Sequence, residues 1–174
     1  MTRATTTDVH ADVVVSRVVV GVDGSPGSYA ALRWAADLSR LRGAPLEAVY
    51  VLEPAVPLDF TGAGFDAALA ISADLNAEAH KVLDRVVADA ADVPGVSVQK
   101  VVLEHPSLGQ ALVRAASGAA LLVVGAHRHH GLGFLLGSTG ASCMRHATCP
   151  VVVVPEDWYV PSPAHITPLE EALP

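Results

Sequence analysis

Arg17-Val-Val-Val-Gly-Val-Asp-Gly-Ser-Pro26 is the stretch on which the fold turns. An unbroken β-branched run has no polar side to show to water, so it reads as a strand buried on both faces, which is the habit of parallel sheets. The run stops at Gly21, Asp23 and Gly24. Ser25 then supplies a helix N-cap and Pro26 a first helical residue whose missing N–H costs nothing there. Ala30, Ala31, Trp34, Ala35 and Leu38 follow at helical spacing up to Gly43, predicting a helix over 26–42.

The same alternation continues outward. Residues 45–52 read as a second strand, and 53–64, with Pro54, Pro57, Gly62 and Gly64, as a long loop. Its Phe60, and Phe65 just beyond it, either wall a pocket or pack on the next helix. From 66 to 91 the apolar positions Leu69, Ile71, Leu75, Ala79, Val82 and Val86 predict an amphipathic helix that ends before Pro94-Gly95. A strand over 96–104, a short helix over 107–117, a buried strand over 119–125, a Gly- and His-rich segment over 125–137, a helix over 138–146 and a last strand over 150–155 complete the order. This βαβαβαβαβ pattern argues an α/β fold, a parallel sheet with helices on both faces and right-handed crossovers. Ligands of such sheets sit beyond the carboxyl ends of the strands, which singles out segments 21–27, 51–64 and 125–139.

The expected organisation is an N-terminal arm over 1–16, one domain over 17–155 and a Pro-rich tail over 156–174, whose Trp158 and Tyr159 are candidates for docking on the core or on a partner. The composition excludes several classes. With 51% hydrophobic and 17% charged residues, the 174-residue chain is too apolar for global disorder. A net charge of −7, with Lys81 and Lys100 the only lysines, argues against nucleic-acid binding, which needs clustered cations. No run is long enough to span a membrane and the N-terminus lacks a secretory apolar stretch, so a cytoplasmic protein without membrane association is expected. Cys143 and Cys149 show no metal or disulfide spacing and read as small buried hydrophobes.

Three features carry chemistry. The glycines of Gly125-Ala-His-Arg-His-His-Gly-Leu-Gly-Phe-Leu-Leu-Gly-Ser-Thr-Gly140 would let backbone amides approach an anion, with Ser138 and Thr139 offering hydroxyls at a helix start. The alternative is a strand-to-helix loop capped by Ser138, since the spacing is neither a P-loop nor GxGxxG. Asp23, just past the first strand, can accept from a ribose hydroxyl, hold a phosphate-bound divalent cation through water, or cap the turn into the first helix. His127, Arg128, His129 and His130 form a local cationic cluster, either a solvated loop or a patch facing an anion. No fourth ligand makes them a zinc site, and no G-x-S-x-G elbow supports a catalytic triad.

These residues resemble the universal stress protein domain from Arg17 to Pro155. The resemblance is carried by Val-Val-Val-Gly-Val-Asp-Gly-Ser at 18–25, Ala-Leu-Arg-Trp-Ala in the first helix, Leu-Leu-Val-Val-Gly-Ala-His-Arg at 121–128, Leu-Gly-Ser-Thr at 136–139 and Arg-His-Ala-Thr-Cys-Pro-Val-Val-Val-Val at 145–154. It implies a Rossmann-like, five-stranded parallel sheet of order 3-2-1-4-5 and a homodimer through the last strand, Pro150 to Val154. ATP-binding members carry Gly, two residues, Gly, nine residues, Gly, then Ser or Thr. Here Gly125, Gly137 and Ser138 match that pattern, Thr139 follows, and Asp23 matches the acidic residue after the first strand. Val51 matches a position whose backbone meets adenine. Arg128 stands where the second glycine belongs, and eight residues rather than nine separate it from Gly137. Its side chain either blocks a phosphate or pairs with it.

The resemblance implies a stress-response protein that binds ATP or a related adenine nucleotide, with Mg²⁺ on the phosphates, as a dimeric regulatory switch. No general base stands out beside the phosphates, so slow ATP hydrolysis is the most that is expected of it as an enzyme. The alternative is a nucleotide-free dimeric module that contacts other proteins. A hydrolase or metal protein built on the histidine segment is a third reading.

Overall fold

The computed structural model describes residues 16–54, 62–91, 94–129 and 133–158. They form β1 (Val18–Gly21), α1 (Pro26–Arg42), β2 (Leu46–Leu52), α2 (Gly62–Ala90), β3 (Val98–Glu104), α3 (Leu108–Ala115), β4 (Leu121–His129), β5 (Gly133–Leu135), α4 (Ser138–His146) and β6 (Val151–Pro155). Five strands run parallel in the order β3-β2-β1-β4-β6, which is the expected 3-2-1-4-5 when the parallel strands alone are numbered. The sixth, β5, pairs antiparallel with the end of β4, with His127 opposite Leu135, Arg128 opposite Phe134 and His129 opposite Gly133. The segment expected as a glycine-rich loop is therefore largely a β-hairpin.

The sheet separates two apolar layers. On one face α1 and α2 bury Ala31, Leu32, Ala35, Leu83 and Val86 against Val18, Val20, Ala48 and Val123. On the other, α3 and α4 bury Leu112, Ala116 and Cys143 against Val19, Val49 and Leu122. Val18, Val19 and Val20 are fully buried, so β1 is covered on both faces as its composition demands.

Local chemistry sets the position of α1. Ser25 is its N-cap, its Oγ accepting from the Ser28 N–H at 3.2 Å, and Gly43 closes it in a left-handed conformation at φ 62°. The first turn lies so close to β4 that a Cβ on Gly125 would overlap the Gly27 carbonyl group. Gly125 is thus required by helix-on-sheet packing, a role the sequence reading did not give it. On the opposite face α3 meets α4 equally closely, since a Cβ on Gly109 would run into the Ser142 side chain.

Three expectations need correction or completion. Helix α2 starts at Gly62, inside the segment expected as loop, and Leu69, Ile71 and Leu75 are 70%, 51% and 42% exposed instead of buried. Its apolar stripe continues in register past the part that rests on the sheet, where Ala79, Leu83, Val86 and Ala90 are buried. Helical periodicity reports which face is apolar and says nothing of where the partner surface ends. Phe60 lies outside the described residues, as does the side chain of Phe65. Trp158 packs against the α1 and α2 layer, its N–H donating to the Pro155 carbonyl, while Tyr159 is outside the described residues.

Arg17 straps the start of β1 to the end of α3. Its Nη2 donates to the Ala115 carbonyl at 2.7 Å and to that of Ser117 at 3.3 Å, and its Nε lies 3.0 Å from Glu47 Oε2 as a charge pair without hydrogen-bond alignment.

Candidate functional site

Beyond the carboxyl ends of β1 and β4 the sheet opens into a cleft. The chain leaves β1 towards β2 on one side while β4 lies on the other, so this is the topological switch point of the sheet. The cleft is lined by the β1–α1 turn (Gly21, Val22, Asp23, Ser25), the first turn of α1 (Ser28), β2 (Val49, Val51), α3 (Leu108, Leu112), β4 (Val124, Gly125) and the start of α4 (Gly137, Ser138, Thr139, Gly140). Six of the seven residues singled out from the sequence, namely Asp23, Val51, Gly125, Gly137, Ser138 and Thr139, therefore meet in one place although they span most of the domain.

The seventh, Arg128, stands in the β4–β5 ladder opposite Phe134; its side chain lies outside what the structure describes. The same holds for the side chains of His127, His129 and His130. Among the described residues no three His, Cys, Asp or Glu side chains cluster to hold a metal ion. No described helix is long and apolar enough to cross a membrane.

The two ends of the cleft differ in chemistry. At one end α4 begins at Ser138 behind its N-cap Gly137, with no side-chain cap and no acidic residue in its first turn. The first intrahelical bond of α4 runs from the Ala141 N–H to the Gly137 carbonyl at 2.9 Å, so the amides of Ser138, Thr139 and Gly140 precede any helical acceptor. Three unspent N–H groups at the positive end of a helix dipole, with two hydroxyls beside them, form a seat for one anionic group. A Cβ built on Gly137 meets no atom within 4 Å, so the space in front of this turn is open.

At the other end Asp23 is exposed and its Oδ1 accepts from the Ser25 N–H at 2.9 Å. The carboxylate therefore holds the turn into α1 while facing the cleft, and the left-handed φ of 81° at Gly24 lets the chain double back behind it. Val49, Val51, Leu108 and Leu112 add apolar side chains to the lining of the same cleft.

Sequence reasoning missed Ser28, Val49 and Leu108 as parts of the site, and read Ser25 and Leu112 only as a cap and a helix face. Ser25 lies in a segment already singled out and Ser28 and Val49 flank one, whereas Leu108 and Leu112 belong to α3, which no singled-out segment includes. What is lacking in one dimension is the knowledge that α3 packs beside the ends of β1 and β2.

A family model for the universal stress protein family matches residues 15–155, and the chain belongs to that family. A universal stress protein of Mycolicibacterium smegmatis is 35% identical over 142 residues, 80% of this chain and 48% of that one. The chain thus spans about half the length of the curated relatives it matches. Among solved structures, a universal stress protein family member from Burkholderia pseudomallei is 30% identical, with a TM-score of 0.57 over 81% of this chain and 96% of that one. The universal stress protein of Archaeoglobus fulgidus solved in complex with dAMP shares the fold at 22% identity and a TM-score of 0.57, covering 80% of this chain and 97% of that one.

Proposed function

We propose that this chain binds an adenine nucleotide in the cleft between β1 and β4, and that occupancy of the cleft makes it a regulatory switch in a stress response. The observation that carries the reading is the convergence, at one switch point, of an uncapped helix start, a carboxylate and a set of apolar side chains. That layout supports a reading with phosphate at Ser138 and Thr139, ribose at Asp23 and the base against Val51. The dAMP complex of the Archaeoglobus protein supports it by analogy of fold. A Mg²⁺ ion on a bound phosphate would draw on Asp23 through water.

The dimer belongs to the same proposal. Strand β6 pairs with β4 alone among the described strands, and its Val151, Val152 and Val153 are half-buried. An apolar edge of this kind invites pairing with a second copy. Crosslinking or light scattering that finds only monomer at micromolar concentration would remove the dimer from the reading.

The test of the ligand is to heat-denature freshly purified protein and identify what is released by chromatography and mass spectrometry, with Gly137→Val purified in parallel. Adenine nucleotide from the wild type alone is the expected result. Nothing released, followed by no binding in calorimetry, would favour a nucleotide-free interaction module, which Arg128 at a family glycine position also supports.

A further inference from the structure

We infer that the groove between α3 and the edge strand β3 is the docking site of this chain's own N-terminal segment, with Val9, Ala11 and Val13 turned to the sheet. The inference is independent of what the cleft binds.

The groove exists because the sheet is covered unevenly. Successive residues of β3 face opposite ways, so Val98 and Val102 pack into the α1 and α2 layer while Val101 and Leu103 turn to the α3 and α4 side. On the first side α2 packs on both β2 and β3. On the second α3 packs on β2, and α4 on β4 and β6, so that among the described residues no helix is packed across β3. Val101 and Leu103 are left half-buried on the floor of a groove of about 440 Å³, walled by Ala111 and Ala115 of α3. Parallel sheets are stable with both faces covered, so this strip calls for a cover.

The chain itself arrives at the right place. Arg17 lines one end of the groove beside Glu47, and its hydrogen bonds to the Ala115 and Ser117 carbonyls hold the entry to β1 against the end of α3. Residues 1–15 therefore join the fold at the mouth of the groove. From there the groove follows β2 from Glu47 to Leu52, which lies opposite Glu104, a distance of about 17 Å at the rise of a parallel strand. The five residues 9–13 cover the same length when extended, and residues 14–16 remain to carry the chain across to β1.

The pattern of the segment fits the floor. Val9, Ala11 and Val13 alternate with His10 and Asp12, so an extended run lays one apolar edge on Val101, Leu103 and Ala111 and keeps a polar edge in water. Charge agrees, because Arg114 lines the groove and the ion pairs of the described residues leave it without a carboxylate, which Asp12 supplies. Tethering also favours this occupant over a free protein, since a short link holds a segment at an effective concentration on the order of millimolar.

The experiment is methyl NMR on the full chain. Expected are nuclear Overhauser cross-peaks from the Val9 and Val13 methyls to those of Val101, Leu103 and Ala111. Val13→Asp, a change outside both buried layers, is expected to erase them and to open the Val101 and Leu103 methyls to relaxation by a soluble gadolinium chelate, while the buried Val18 and Leu32 methyls keep their shifts. Cross-peaks seen only between chains, in a mixture of labelled and unlabelled protein, would give the groove to a second copy and overturn the proposal. So would missing cross-peaks with Val101 and Leu103 already open to the chelate in the wild type, the result for a groove that awaits a different protein. Missing cross-peaks with both methyls shielded in wild type and variant alike would show another part of the chain lying there, and would overturn the assignment to residues 9–13.

Discussion

Two glycines that look alike in the sequence do opposite things. Gly125 and Gly137 both read as members of a phosphate-approaching set, yet only Gly137 has open space before it, whereas Gly125 is pressed on the Gly27 carbonyl. Gly125→Ala is therefore expected to destabilise the fold by about 1–3 kcal/mol in urea unfolding, as overpacking does. Gly137→Ala is expected to cost no more than about 1 kcal/mol, the difference between glycine and alanine as an N-cap, while abolishing nucleotide binding in calorimetry. Equal stability losses in both would contradict the assignment. Cys143 gives a second contrast. Burial pushes its thiol up to about 11 from an ordinary 9.0, with Cys149 adding a smaller push and a backbone hydrogen bond opposing. Since the native state favours the protonated thiol, its contribution is full below pH 9 and is lost as pH climbs through about 11. Unfolding free energy measured over that window should fall, and Cys143→Ala should flatten the decline.

Helix α1 is the element most fully legible in one dimension: Ser25, Pro26 and Gly43 bound it in the structure as in the reading. Ser25→Ala is expected to cost about 1 kcal/mol by leaving the Ser28 N–H without its cap, read out by denaturant titration. Where the acceptor of a helix end is a neighbouring side chain, sequence suffices. The β4–β5 hairpin escaped because its paired residues, His127, Arg128 and His129 with Gly133, Phe134 and Leu135, show no polar–apolar alternation to reveal a strand. Helix α2 escaped in part for a different reason, since its apolar stripe outruns the sheet. Its first half, with Leu69, Ile71 and Leu75 in water, rests on few tertiary contacts. Amides over 66–76 are expected to exchange with deuterium faster than those over 79–90, and uniform protection along the helix would show that another surface covers it.

The five parallel strands and their cleft were legible because β-branched runs and strand–helix alternation determine a switch point whatever the side-chain details. The balance between the two faces was not, since it depends on which helices share a layer. Among the described residues eighteen buried apolar side chains form the α1 and α2 layer and only seven the α3 and α4 layer. The proposed phosphate seat belongs to the thinner one, through α4, while Asp23 and the turn into α1 lie at the thicker. A ligand bridging the cleft would thus tie a lightly packed wall to a rigid one, and the cooperativity of the domain would rise with occupancy. Reciprocity then runs the other way: whatever docks on the outer surface of α3 and α4 and quiets that wall raises affinity in the cleft by the same factor, so a partner there and a nucleotide within would each act as the other's effector.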